Sequence, residues 1–376
     1  MNVRRTWAVG RKEFLHVLRD PRSLALGVAI PALMIILFGY ALTLDVNNVP
    51  LVVWDQNRTA LSRDFISRFG GSPYFKVVNY FDSYRDLERA IDTREAMVAM
   101  IVPMDFQQRV TTGRNAPVQL IVDGSDANTA TIAIGYADVI AQVFSEAMMA
   151  EKIQRMGLPR INIPLDVRSR VWFNADLESK NYIVPGLIAV IMMVIAALLT
   201  SLTVAREWER GTMEQLISTP VKGPELILGK LLPYFAIGLF DVAVAMLMGQ
   251  FLFHVPLRGN AGLLFGLSAL FLVGVLSMGM LISITAKSQL LASQIAMTST
   301  FLPSFLLSGF IFAIPNMPWA IRMVTYVVPA KYFISILRGI YLKGIGLELL
   351  AGQGFLLIVF GAMMVVIANV RFKKKL

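Results

Sequence analysis

The chain has 376 residues, of which 56% are hydrophobic and 16% charged, with a formal net charge of +10. A mean hydropathy of +0.62 excludes a disordered protein and a single soluble domain, because a globule of this size cannot hide that much apolar surface from water. Asp45–Lys180 holds 17 acidic and 15 basic residues and the apolar remainder 8 acidic and 20 basic, the distribution of a membrane protein with basic cytoplasmic loops and not of a nucleic-acid binder.

In chain order, residues 1–22 predict an amphipathic helix lying in the membrane interface. Trp7, Phe14, Leu15 and Leu18 fall on one side of it and Arg5, Lys12, His16 and Arg19 on another. Residues 23–44 form an uncharged run, Ser23–Leu44, long enough to cross hydrocarbon about 30 Å thick. Pro31 is expected to kink it, and without a small-x-small cleavage site it reads as a retained anchor.

Residues 45–180 have an ordinary globular composition and predict an α/β domain on the outer side. Pro50–Trp54, Phe75–Tyr80, Ala96–Val102 and Val118–Asp123 read as strands, with helices at Ser62–Phe69, Tyr84–Thr93 and Asp105–Thr112 between them. A long helix is expected over Asn128–Met156 and a returning strand over Val167–Trp172. Asp123, Ser125 and Asp126 read as a strand-end turn with a helix N-cap, not as cation ligands.

Residues 181–376 supply five further apolar runs: Asn181–Ala205, Leu231–Phe253, Gly259–Ala286, Ser288–Ile321 and Leu349–Val370. The expected fold class is therefore an α-helical membrane protein of six transmembrane helices, with the α/β domain between the first and second. Basic residues in the N-terminal segment and in the tail 371–376 place both termini in the cytoplasm. The 206–220 segment and the turn at Lys287 then lie inside, and Asn316–Glu348 lies outside despite its four basic residues.

Two features of this part call for chemistry. Arg206, Glu207, Glu209, Arg210 and Glu214 leave the bilayer together, Gly211 allows a sharp turn, and Thr212 opens a short helix ending before Pro220. Met213, Leu216 and Ile217 form its apolar side. Asp241 is an ionisable group near the middle of the third span, where it costs about 2.5–3.5 kcal/mol to insert, so it must face the bundle interior or water. It is a candidate for the translocation path, or for an internal hydrogen-bonded brace.

Catalytic machinery is not expected. There is no cysteine, which removes disulfides, thiolate catalysis and cysteine-bound zinc. The two histidines, His16 and His254, lie in separate surroundings, so no multi-histidine metal site is expected. Gly229-Lys230 is the one Gly-Lys pair, and Pro224 stands where a phosphate-binding loop needs its first glycine. No cofactor, metal or nucleic acid is called for, and the chain is read as a non-enzyme.

The Arg206–Pro220 run, followed by Lys222, Glu225 and Gly229-Lys230, resembles the segment after the second span in permease subunits of ABC-2 type exporters. The Ser308–Pro318 segment, with Pro329, Tyr332, Arg338-Gly339 and Lys343-Gly344 downstream, is a second match. It departs from the family where Ala313 replaces a usual proline. A single span, a large outer domain and five further spans are similar to bacterial multidrug-efflux permeases of this type.

The resemblance implies a second permease copy, identical or paralogous, and a separate ABC ATPase subunit. Arg206, Glu207, Glu209, Arg210, Gly211, Thr212, Glu214 and Pro220 would be the ATPase-coupling element. It also implies residence in a bacterial inner membrane in contact with lipid, outward movement of hydrophobic or amphipathic compounds, and room for a periplasmic adaptor. Export of a lipid or glycan is the alternative within this class. A membrane-anchored receptor or scaffold with an outer binding domain is the alternative outside it.

Overall fold

A computed structural model describes residues 2–42, 46–155, 170, 172–174 and 178–372. The chain divides into two compact units, Leu44–Ser169 and the combination of Met1–Thr43 with Arg170–Leu376.

The first unit is built on one sheet. Strands β1 (Val49–Asp55), β2 (Phe75–Tyr80), β3 (Val98–Val102) and β4 (Gln119–Val122) lie in the order β2-β1-β3-β4. β1 runs parallel to both neighbours, Leu51 pairing with Val77 and Val98, and β4 closes the edge antiparallel to β3. Period-two alternation gives each face its own core. Val49, Leu51 and Val53 face Phe65, Phe69 and Phe106, whereas Val52 faces Leu87, Ala90 and Ala99.

The interleaved helices are those the sequence predicts, to within a turn, at Ala60–Gly70, Tyr84–Asp92 and Phe106–Thr112. The long helix spans Ala127–Arg155 and packs on the sheet through Ala133, Ala137 and Phe144. Asp126 caps it, its carboxylate accepting from the Asn128 and Thr129 N–H groups at 3.2 Å each. The strand expected over Val167–Trp172 lies largely outside the described residues.

We number the helices of the second unit separately. They are α1 (Val3–Arg19), α2 (Ala25–Ala41), α3 (Ser179–Glu209), α4 (Thr212–Ser218), α5 (Gly223–Leu252), α6 (Ala261–Ala286), α7 (Gln289–Leu306), α8 (Trp319–Val327), α9 (Pro329–Lys343) and α10 (Leu347–Arg371). α3 is the hub. Nearly every residue from Ile183 to Ala205 is buried, as in a helix apolar on all sides, and α2, α5, α6, α7 and α9 all contact it.

The approach of α6 to α3 depends on Gly279, where a Cβ would stand 2.4 Å from the Ala197 carbonyl oxygen. Only glycine permits backbones that close. In α2, the turn before Pro31 widens to π geometry over Ala25–Ala29, the adjustment that accommodates a residue with no N–H to donate.

Five helices of the described residues are long and apolar enough to cross a membrane: the Ala127–Gln154 stretch, α3, α5, α6 and α10. α2 is shorter. Two of the expected stretches are broken by turns. The uncharged run Ser288–Ile321 is not one helix: α7 ends at Leu306, and Gly309 turns the chain with φ +82°. The Asn316–Glu348 stretch is no simple outer loop, because α8 and α9 form a pair bent by 83°. Phe333, Ile336, Leu337, Ile340 and Tyr341 of α9 are buried in the helical core.

Arg338 holds this segment in position. Its guanidinium donates to the carbonyls of Gly309 (2.9 Å), Phe310 (3.3 Å) and Tyr182 (3.3 Å), and lies 3.5 Å from the centre of the Tyr182 ring. This accounts for one of the four basic residues that the charge rule left unexplained.

Candidate coupling site

Past Ala205 the sequence of α3 becomes charged for its last turn and the helix stops at Glu209. Gly211 then adopts the left-handed conformation with φ 69°, and α4 starts from it at Thr212. Met213, 1% exposed, seats α4 against the helical core. This seven-residue helix, anchored by Met213, forms a small knob whose position depends on the end of α3 and the start of α5.

The side chains of the run divide into two sets. The first ties down the knob. Glu207 accepts from Lys230 Nζ at 3.0 Å through one carboxylate oxygen and from the Thr212 hydroxyl through the other. Arg206 reaches Asp20 at 3.7 Å and Gln289 at 3.4 Å. Glu209 accepts from the Gln289 backbone N–H at 2.7 Å and from its side-chain amide, which puts a negative charge at the positive end of α7. The second set, Arg210, Glu214, Gln215, Ser218 and Pro220, is exposed.

α1 closes over this arrangement. Its buried face is Thr6, Gly10, Glu13 and Val17, which fits against α5 because Gly229 has no side chain. A Cβ there would stand 2.7 Å from Val9 Cβ and 3.0 Å from the Thr6 carbonyl oxygen. Lys230, 2% exposed, meets the Glu13 carboxylate at 3.2 Å as well as Glu207. Further along, Arg5 donates to the Pro220 carbonyl at 2.7 Å. Glu225 accepts from the N–H of Asn2 at 2.6 Å and of Lys222 at 3.0 Å. The turn at Lys287 is left-handed, and its ammonium lies 4.8 Å from the centre of the Trp208 ring.

Trp7, Phe14, Leu15 and Leu18 are left exposed on α1, an apolar stripe available to a membrane interface. Its opposite face is a protein contact that the charge pattern does not suggest. Glu13 was the signal available: an acid in register with Thr6, Gly10 and Val17 on a helix whose other charges are mostly basic. Lys230 was a second, a lone cation followed by Leu231-Leu232.

Asp241 lies on the same helix as Lys230, 11 residues on, which is about 16 Å of helix rise. It is 5% exposed and faces inward with Gly238, Val242 and Ala245. No ion pair or hydrogen bond to it occurs among the described residues. The two groups of candidate residues are thus separate. One is a tied ionic cluster at the end of α3, and the other is a single buried carboxyl. Among the described residues no group of three or more histidines or acids could hold a metal.

The family described as "ABC-2 family transporter protein" matches residues 21–369. Escherichia coli (strain K12) "Probable multidrug ABC transporter permease YbhS" is 40% identical over 345 residues, covering 92% of this chain and 90% of that one. "Probable multidrug ABC transporter permease YbhR" of the same strain is 30% identical over 374 residues, 99% of each chain. Its "Inner membrane transport permease YhhJ" is 24% identical over 379 residues, 99% and 98% of the two chains.

Proposed function

Because the chain belongs to the ABC-2 family of transporter proteins, we propose that it works as the membrane-spanning permease subunit of an ATP-driven exporter. It pairs with a second permease copy and with a separate ATPase subunit, and carries hydrophobic or amphipathic compounds outward across a bacterial inner membrane. The multidrug names of its relatives support that substrate class. The crossings are α2, α3, α5, α6, α7 and α10, with both termini in the cytoplasm. The Ala127–Gln154 stretch is not counted because it packs on the sheet of its own unit.

The observation that carries this reading is the two-sided run from Arg206 to Pro220. Glu207, Thr212 and Met213 fix α4 to the ends of α3 and α5, while Arg210, Glu214 and Ser218 remain exposed. A push on the exposed side has little slack to absorb before it reaches α3 and α5, and through Glu13 it reaches α1. Nucleotide-driven closure of two ATPase subunits would bring two such knobs together and tilt the attached helices. Asp241, inward-facing on α5, stands in the moving part as a candidate contact for cationic substrates.

Glu214→Arg tests the coupling. It reverses an exposed charge that makes no ion pair among the described residues, so the assembled complex should fold and insert as before while substrate-stimulated ATP hydrolysis is lost. Unchanged stimulation would overturn the assignment. Glu207→Arg is a poor substitute, because it also removes one of the two carboxylates on Lys230 and puts a like charge beside it. For the path, Asp241→Asn should reduce export of a cationic dye and leave a neutral one unaffected.

A further inference from the structure

The α/β unit holds a cavity of about 580 Å³ between its sheet and the Ala127–Arg155 helix, within the size range of sites for small organic ligands. Its walls are the rings of Phe65, Phe106 and Phe144 together with Met100 and Met148. The long helix leaves it open by using small residues, Ala137, Ala141 and Ser145, at intervals of four along the lining side, which is one face of a helix.

One end of this slot is cationic. Lys152, half-buried, lies across the left-handed turn at Gly113, its Nζ 2.6 Å from where a Cβ on Gly113 would stand. Arg114 and Asn115 follow in the same turn and also line the cavity. Neither Lys152 nor Arg114 has an ion-pair partner among the described residues. The one acid of the lining is Asp138, 14 residues before Lys152 on the same helix and so about 21 Å away along it. An aromatic and thioether interior that ends at two cations and an amide has the chemistry of a receptor for an apolar body with an anionic head.

We propose that this cavity binds a monoanionic amphiphile, its head group between Lys152 and Arg114 and its chain beside Ala141 and the phenylalanine rings. This is a site in the α/β unit distinct from the coupling cluster and from Asp241, and it does not depend on the transport reading.

The full-length protein in phosphatidylcholine nanodiscs provides the test. The chain has no cysteine, so Ser145→Cys takes a single environment-sensitive fluorophore at the wall of the slot. Dodecanoate should give a saturable blue shift, and dodecylammonium should be at least about tenfold weaker. The double variant Lys152→Glu, Arg114→Glu should weaken dodecanoate about tenfold or more, and Ala141→Trp should abolish the response by filling the slot. The same fluorophore at Ser125→Cys, in the turn before the long helix, should not respond. Two outcomes overturn the proposal: equal response to the two head groups, or a non-saturating response shared with position 125. A saturable shift on adding phosphatidylglycerol with no dodecanoate present, lost in the double variant, supports it and identifies an anionic bilayer lipid as the source of the amphiphile.

Discussion

Lys230→Met should be among the most destabilising single substitutions in the helical unit. The ammonium is 2% exposed and lies 3.2 Å from Glu13, itself 7% exposed, and 3.0 Å from Glu207, which is 15% exposed. At an effective dielectric constant of about 20, each attraction is worth about 5 kcal/mol, and desolvating the three groups cancels most of that gain. Removing only the cation leaves both carboxylates desolvated, with Glu207 keeping the Thr212 hydroxyl and Lys12 at 4.0 Å. Among the described residues Glu13 has no other ion-pair or hydrogen-bond partner, so the expected loss is about 3–5 kcal/mol. Glu13→Gln should cost less, about 1–2 kcal/mol, because Lys230 keeps Glu207 and a side-chain oxygen remains to accept its proton. Replacing all three by Glu13→Leu, Glu207→Gln and Lys230→Met should recover most of the loss, since an apolar substitute for a buried ion cluster is often neutral or better. Denaturant unfolding in mixed micelles, followed by tryptophan fluorescence, ranks these variants. The reasoning fails if Lys230→Met costs less than about 1 kcal/mol or if the triple variant is no more stable than the single one.

Three further outcomes are expected. Gly279→Leu should prevent α6 from seating on α3 and abolish recovery of monodisperse protein, whereas Gly266→Ala, with nothing within 4 Å of its Cβ position, should be neutral or stabilising by about 0.5–1 kcal/mol in the same purification and melting assay. Arg338→Lys cannot reproduce a planar fork that serves three carbonyls and stacks on Tyr182, and should cost about 2–4 kcal/mol in thermal unfolding without changing expression. The Thr129 hydroxyl, followed by the Thr129 and Asn128 N–H groups, holds the Asp126 carboxyl below its ordinary range. Its stabilising effect is therefore present above pH about 4 and is lost as pH falls through its folded value, so an acid titration of Asp126→Ala should show a shallower stability loss than the parent.

The α/β unit was legible because its signals are local. Alternation over Pro50–Trp54 and the apolar run over Ala96–Val102 need no distant partner to be read, and the strands end within two residues of where the pattern stops. Charge and Gly211 likewise delimit α4. What the pattern does not distinguish is Glu207 from Glu214. They look equivalent in the run, yet one is tied to a buried lysine and the other faces solvent, a difference that depends on Lys230 lying opposite. Where the helix ends within the Ser288–Ile321 run was not legible for a related reason. Freedom from charge measures compatibility with lipid, not continuity of a helix; α7 runs through Pro303, and the break comes at Gly309, with Pro315 and Pro318 beyond it. The buried face of α1 was hidden because it is partly polar and is matched to Gly229, far along the chain.

The bond between Glu13 and Lys230 joins residues 217 positions apart. At about 5–20 residues per second, a ribosome needs roughly 10–45 s after making the first to deliver the second. For that interval the N-terminal helix is finished but has no seat, with Glu13 unpaired and its docking groove on α5 not yet synthesised. Trp7, Phe14, Leu15 and Leu18 give it a resting place at the lipid surface while it waits. Docking of α1 must therefore come late in biogenesis, and a ribosome-bound chain stalled before Lys230 emerges should leave the helix accessible to protease, with protection appearing only in chains long enough to have released α5.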